Sequence, residues 1–154
     1  MNEFESAVDS LIDRLRGEYG SVMQVTKRPN HPSPDVTFWA IQPENDRSSP
    51  IWIIGEGWND ATVGFGRSDG RIELWQMGKT ASSEGLRNLE DACRSVIHGR
   101  LTEWRQDENR CRYELVLSDG FVYRGSANVL FRRRWKIVER FAPYGPLGDP
   151  SGSS

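Results

Sequence analysis

Apolar side chains recur along residues 4–16 at the spacing of one helix face: Phe4, Val8, Leu11, Ile12 and Leu15, continued by Tyr19. That 3.6-residue period predicts an amphipathic α-helix. Glu3, Glu5 and Asp9 near its start and Arg14 and Arg16 near its end complement the helix dipole, and Gly17 or Gly20 can end it. Beyond it the period falls to two. Strands are predicted over 22–27, 36–42 (VTFWAIQ) and 51–54, separated by the proline-rich stretch 28–34 and the polar stretch 43–50. Residues 61–67 and 71–77 predict a hairpin. A two-residue Asp69-Gly70 turn would pair Phe65 with Leu74 and Gly64 with Trp75, laying the Trp75 ring over Gly64 and Gly66.

The helical period returns after Ser82 and Ser83, with Leu86, Leu89, Cys93, Val96 and Ile97 as the stripe and Gly99 as the residue just past the helix. Strands follow over 101–105, 112–118 and 121–125, the last two joined by Asp119-Gly120, the strongest hairpin signal in the chain. A final strand is predicted over 131–141 (FRRRWKIVERF), with Trp135 and Ile137 inward and Arg132, Arg134 and Lys136 outward by parity. Arg133 would then strain the apolar face and need Glu139 or Glu114. The pattern predicts an α+β fold: two helices on one face of a large, curved, mainly antiparallel sheet of about eight strands, helix then meander, twice. The single domain spans 1–144, with helix-plus-meander halves 1–80 and 81–144; residues 145–154 read as a disordered Pro/Gly/Ser tail.

Composition narrows the function classes. The 154 residues are 36% hydrophobic, enough for one core, and no run approaches a membrane span. The opening MNEFESAVDS carries carboxylates and no basic run, which argues against a secretory signal and for a cytoplasmic protein. Net charge is −2; residues 1–80 hold 8 basic and 12 acidic side chains, and 81–154 hold 12 and 10. That balance argues against a polyanion binder. The basic side chains are 17 Arg against three Lys, a bias compatible with a GC-rich bacterial genome. Six Trp are many for this length, and Trp and Arg are enriched at binding hot spots.

Each candidate chemistry meets a plainer explanation. Gly55-Glu56-Gly57 and Gly64-Phe65-Gly66 have phosphate-loop spacing, but neither opens a helix. Glu56, Asp60 and Glu73 could converge as carboxylates, yet no histidine accompanies them at ligand spacing. His98 suits a helix C-terminus and His31 a loop, outside any catalytic frame. Cys93 and Cys111 form neither a zinc pattern nor a disulfide framework and read as reduced thiols. No cofactor or metal is expected. Arg132, Arg134 and Lys136 beside Phe131 and Trp135 could bind single-stranded nucleic acid, a lesser reading given the charge balance.

Trp58, Asn59 and Asp60 in a predicted turn, Trp104 in the polar frame TEWRQDE, and Arg132 and Arg134 are the candidate partner contacts. In size, charge and layout the chain resembles small acidic bacterial proteins that act by binding another protein, such as toxin-immunity proteins and secretion chaperones. The resemblance implies a non-catalytic binding module whose partner is another protein, and it carries no site residues. The alternative is a pocket protein or enzyme whose cavity is lined by Phe38, Trp39, Trp52, Phe65, Trp75 and Tyr123.

Overall fold

The first apolar stripe becomes helix α1, Glu3–Tyr19, which passes through Gly17 and ends in a 3-10 turn, Gly20–Val22. Phe4, Val8, Leu11, Ile12 and Leu15 are buried, and Tyr19 packs against the core, so period and buried face coincide. The structure, a computed structural model, describes residues 3–56, 60–67, 70–73, 83–107, 110–127 and 135–145. Among them no helix is long and apolar enough to cross a membrane.

Five strands follow: β1 Met23–Pro29, β2 Val36–Pro43, β3 Ile51–Glu56, β4 Asp60–Phe65 and β5 Gly70–Glu73. They pair antiparallel in chain order, an up-and-down meander. Across the register, Val25-Ile41-Ile51-Phe65 and Lys27-Trp39-Ile53-Val63 form the inner face. Helix α1 lies on it: Trp39 Nε1–H donates to Asp9 at 2.9 Å, and Lys27 Nζ reaches Asp9 and Glu5 at 2.8 Å each. Phe4 and Trp39 close over Gly55, where an added Cβ would meet both rings at 3.3 Å.

Helix α2, Ser83–Ile97, buries Leu89, Ala92, Cys93, Val96 and Ile97. It ends as predicted at Gly99, whose φ is +75°. Gly99 N–H donates to Val96 O and Arg100 N–H to Ser95 O, both at 3.0 Å, the paired bonds of a Schellman cap. Strands β6 Leu101–Asp107, β7 Arg110–Val116 and β8 Val122–Ala127 then form a second antiparallel set. The Asp119-Gly120 signal is realised: Gly120 sits at φ +88°, and Leu117 N–H closes the loop on Phe121 O at 2.8 Å. Strand β9, Ile137–Arg140, returns beside β6, giving the order β8-β7-β6-β9. A fourth strand beside the first of three makes a Greek key, where the pattern predicts a second meander.

The class is the expected one, two helices with antiparallel strands. The strands divide into sheets of five and four rather than joining in one. Helix α2 intervenes between β5 and β6, so no hairpin carries the ladder across. The two inner faces share one core, with Phe65 edge-on to Tyr113 at 5.1 Å between ring centres.

Two local predictions need correction. In the β4–β5 hairpin Val63 pairs with Ile72 and Phe65 with Gly70, so the ladder ends at Phe65 and Gly70 and the two-residue Asp69-Gly70 turn is not formed. Gly66, at φ +84°, turns the chain early; its N–H goes to Ser49 Oγ (2.7 Å) and Arg67 N–H to Glu103 (3.1 Å). Acceptors from elsewhere in the fold thus take the donors a longer ladder would use. Gly64 is covered by Trp52, directly opposite on β3; Leu74 and Trp75 lie outside the described residues. In the last strand Ile137 is 50% exposed, contrary to its predicted inward packing, and Val138 is 55% exposed. Strand β9 is a four-residue edge with one neighbour, and its inward contacts are made by Glu139 and by Phe141 just beyond it. Trp135 is half-buried, whereas Phe131 and Arg132–Arg134 lie outside the described residues.

A polar joint fastens the sheets together. Glu103 on β6 is fully buried, accepts the Arg67 N–H and pairs with Arg105. Arg105 also binds Glu139 at 2.8 Å, and Glu139 meets Arg67 at 3.4 Å. An added Cβ at Gly66 would collide with the Glu103 carboxylate. Beside the joint, Tyr144 is 2% exposed and its hydroxyl donates to Ser49 O at 2.6 Å. Residues 146–154, the rest of the predicted tail, lie outside the described residues.

Candidate functional site

The face of the five-stranded sheet turned away from α1 carries the rows Thr26-Ala40-Trp52-Gly64 and Arg28-Phe38-Ile54-Thr62. Phe38, Ala40, Trp52 and Ile54 are half-buried and stand outside the core cluster. The His31 ring meets Phe38 edge-on at 6.4 Å between centres. An antiparallel sheet with one face on the core ordinarily turns polar side chains outward. Here two aromatics and an isoleucine occupy the middle of that outer face.

The outer face of the four-stranded sheet is built differently. Trp104, one of the predicted contacts, is half-buried there, with the Arg112 guanidinium 4.9 Å from its ring centre and Val138 opposite on β9. Glu114 accepts from Arg112 at 2.8 Å and Arg124 at 3.1 Å. The Arg112 hydrogen bond holds the Glu114 carboxyl below its usual range, helped by Arg124 and opposed by burial. Charges on this face are largely matched within it.

The acidic candidates fall on neighbouring strands of the first sheet. Asp60 opens β4 opposite Glu56, and Glu73 ends β5 opposite Thr62. Trp58, Asn59, Arg132 and Arg134 lie outside the described residues. Gly55 and Gly64 sit within strands, without the helix start a phosphate loop needs. Among the described residues no group of three or more His, Cys, Asp or Glu could hold a metal ion. Both cysteines are buried and neither is in a disulfide, and burial pushes the Cys93 thiol up to about 12, which makes it a poor nucleophile. The aromatics predicted to line one cavity separate by strand parity. Trp39 and Phe65 are core, Phe38 and Trp52 are on the opposite face, and Tyr123 packs at the core edge.

A polar cleft of about 240 Å³ lies where the end of α1, the last turns of α2, Arg100 and the β7–β8 turn meet. Its wall is organised by Arg94, which binds Glu18 through two nitrogens at 2.7 and 2.9 Å. Arg94 also pairs with Glu90 at 2.9 Å and reaches the Tyr19 hydroxyl at 3.2 Å. Arg14 completes the set by binding Glu90 at 2.6 Å, so the cluster ties α1 to α2. The Tyr19 hydroxyl lies 3.1 Å from His98 Nε2. Burial lowers the His98 pKa from its usual value, with the Arg100 and Arg94 charges adding to the effect against Glu18. Burial likewise raises the Tyr19 phenol.

Comparison with protein-family models, curated proteins and solved structures finds no match to this chain. The apolar outer face did have a sequence signal, because VTFWAIQ and IWII are nearly uninterrupted apolar runs, and such runs put apolar side chains on both faces of a strand. The cleft had none: Tyr19, residues 91–100 and Ser118 come from three separate segments.

Proposed function

We propose that the protein is a non-catalytic protein-binding module that docks another protein on the outer face of its five-stranded sheet. The observation that carries this reading is the cluster Phe38, Ala40, Trp52 and Ile54 on a face whose alternation calls for polar residues. Aromatic side chains held on rigid strands lose little entropy on binding and supply most of the energy at protein interfaces. The flank adds Arg28, which is exposed on β1 beside Phe38 and favours a partner with a carboxylate near its apolar patch. Trp104 under Arg112 is a second, smaller contact, weakened as an anchor because Arg112 is already held by Glu114.

The test is a purified complex. A partner captured with the wild-type chain is identified, produced separately and titrated against Phe38→Asp, Ile54→Asp and Trp104→Ala. The sheet substitutions should each weaken binding about 30-fold or more, as expected for central anchors, and Trp104→Ala less than 10-fold. Unchanged affinity for both Phe38→Asp and Ile54→Asp, with melting curves retained, rejects the reading. A homodimer in light scattering that Phe38→Asp dissolves also rejects it, because the face would then serve a second copy of the chain.

A further inference from the structure

Arg94 is saturated by protein partners, but three other groups lining the same cleft are not saturated by any described residue. Ser95 is 3% exposed, and its hydroxyl is hydrogen-bonded to no described residue. The Asp91 carboxylate accepts one bond, from the Ser118 hydroxyl at 3.1 Å, and has no cationic partner among the described residues. Arg100 makes no ion pair with a described residue. Asp91 and Arg100 border one cleft without pairing with each other. A buried hydroxyl without a partner costs stability unless something bonds to it.

We infer that this cleft binds a small zwitterion of the free amino-acid class, its ammonium group at Asp91 and its carboxylate at Arg100, with the Ser95 hydroxyl donating to the carboxylate. Charge balance excludes the simpler ligands. A lone anion at Arg100 would share the cleft with the Asp91 carboxylate, which no described cation pairs, and a lone cation at Asp91 would share it with Arg100. A molecule carrying both charges satisfies both ends, and each of its charged groups meets a counter-ion and hydrogen-bonding groups as it leaves water. The space of about 240 Å³ equals that of about eight waters at ~30 Å³ each, room for an amino acid with a short side chain. His98, held towards its neutral form, adds no third charge to the wall. The inference concerns a different surface from the proposed docking face and stands or falls separately.

Titration of the full-length chain followed by amide and imidazole NMR shifts tests it, with glycine and L-alanine as probes and acetate and methylammonium as their separate charged halves. Glycine or alanine should shift His98, Ser95 and Ser118 signals and bind at least about tenfold more tightly than either half. Arg100→Gln and Asp91→Asn should each cost about tenfold or more, and Ser95→Ala several-fold, while thermal melting shows each variant folded. Three results would overturn the proposal: no shift with either amino acid up to about 10 mM, acetate binding as tightly as alanine, or Asp91→Asn binding unchanged.

Discussion

Where the two sheets meet, Glu103 is fully buried and holds Arg105 and the Arg67 backbone N–H, while Glu139 answers both arginine side chains. In the cleft beside α2, Asp91, Ser95 and Arg100 border a shared space, and among the described residues the one side-chain hydrogen bond to the three runs from the Ser118 hydroxyl to Asp91. Both clusters contain carboxylates and arginines, and they differ in whether the protein itself completes them. A completed buried set repays its desolvation only as a set, so removing one member leaves a stranded charge. A group at an open cleft that makes no ion pair with a described residue strands no buried partner when it is removed. Stability should therefore be concentrated in the joint and ligand chemistry in the cleft.

The strongest way to break this contrast is Glu103→Ala. It should destabilise the protein by about 3–5 kcal/mol in urea unfolding, because Arg105, whose side chain is 15% exposed, keeps Glu139 as its only carboxylate partner among the described residues. A loss below about 1 kcal/mol would show that the joint is not what fastens the sheets. Gly66→Ala comes next, at about 2–3 kcal/mol, since φ is +84° and the new methyl meets the Glu103 carboxylate. The double substitution should cost less than the sum of the two, because removing Glu103 also removes the collision.

A smaller effect is the pH dependence contributed by the cleft. Folding lowers the His98 pKa below its usual 6.5, first through burial and then through Arg100 and Arg94. Between the folded value and 6.5 the unfolded chain binds more protons, so stability falls as pH drops through that window and levels off below it. Urea midpoints measured from about pH 8 to pH 5 should show this fall in the wild type and lose it in His98→Gln. Burial alone would raise the Glu90 carboxyl, but hydrogen bonds from Arg14 and Arg94 outweigh it and hold the pKa down. Its contribution is present above the usual carboxylate value and is lost in a separate, more acidic step as pH falls through the folded pKa. The smallest effect should be that of Arg100→Gln, within about 0.5 kcal/mol of wild type in urea unfolding, because it breaks no ion pair with a described residue. A loss approaching that of Glu103→Ala would erase the distinction between the clusters.

Features decided within a few residues were legible in the chain. The stripe from Phe4 to Leu15 buries as one face, Gly99 ends α2, and Asp119-Gly120 closes a hairpin. The apolar outer face was also written in VTFWAIQ and IWII, runs too uniformly apolar for alternation to show which side of each strand meets the core. The β4–β5 register could not be read locally, because the donors that set it are satisfied by Ser49 and Glu103, 17 and 36 residues away. The same holds for β9, whose partner is β6 and not the preceding strand, and for the cleft, assembled from the end of α1, the end of α2 and a turn. By itself the sequence determined the helices, the strands and the α+β class, because helical and strand periods and turn chemistry act over a handful of positions. The division into two sheets, the side each aromatic faces and the gathering of Asp91 and Arg100 at one cleft were decided only by the tertiary structure. Buried donors, acceptors and ions must find partners wherever the whole chain can supply them, and nearest neighbours in sequence do not reveal where that is.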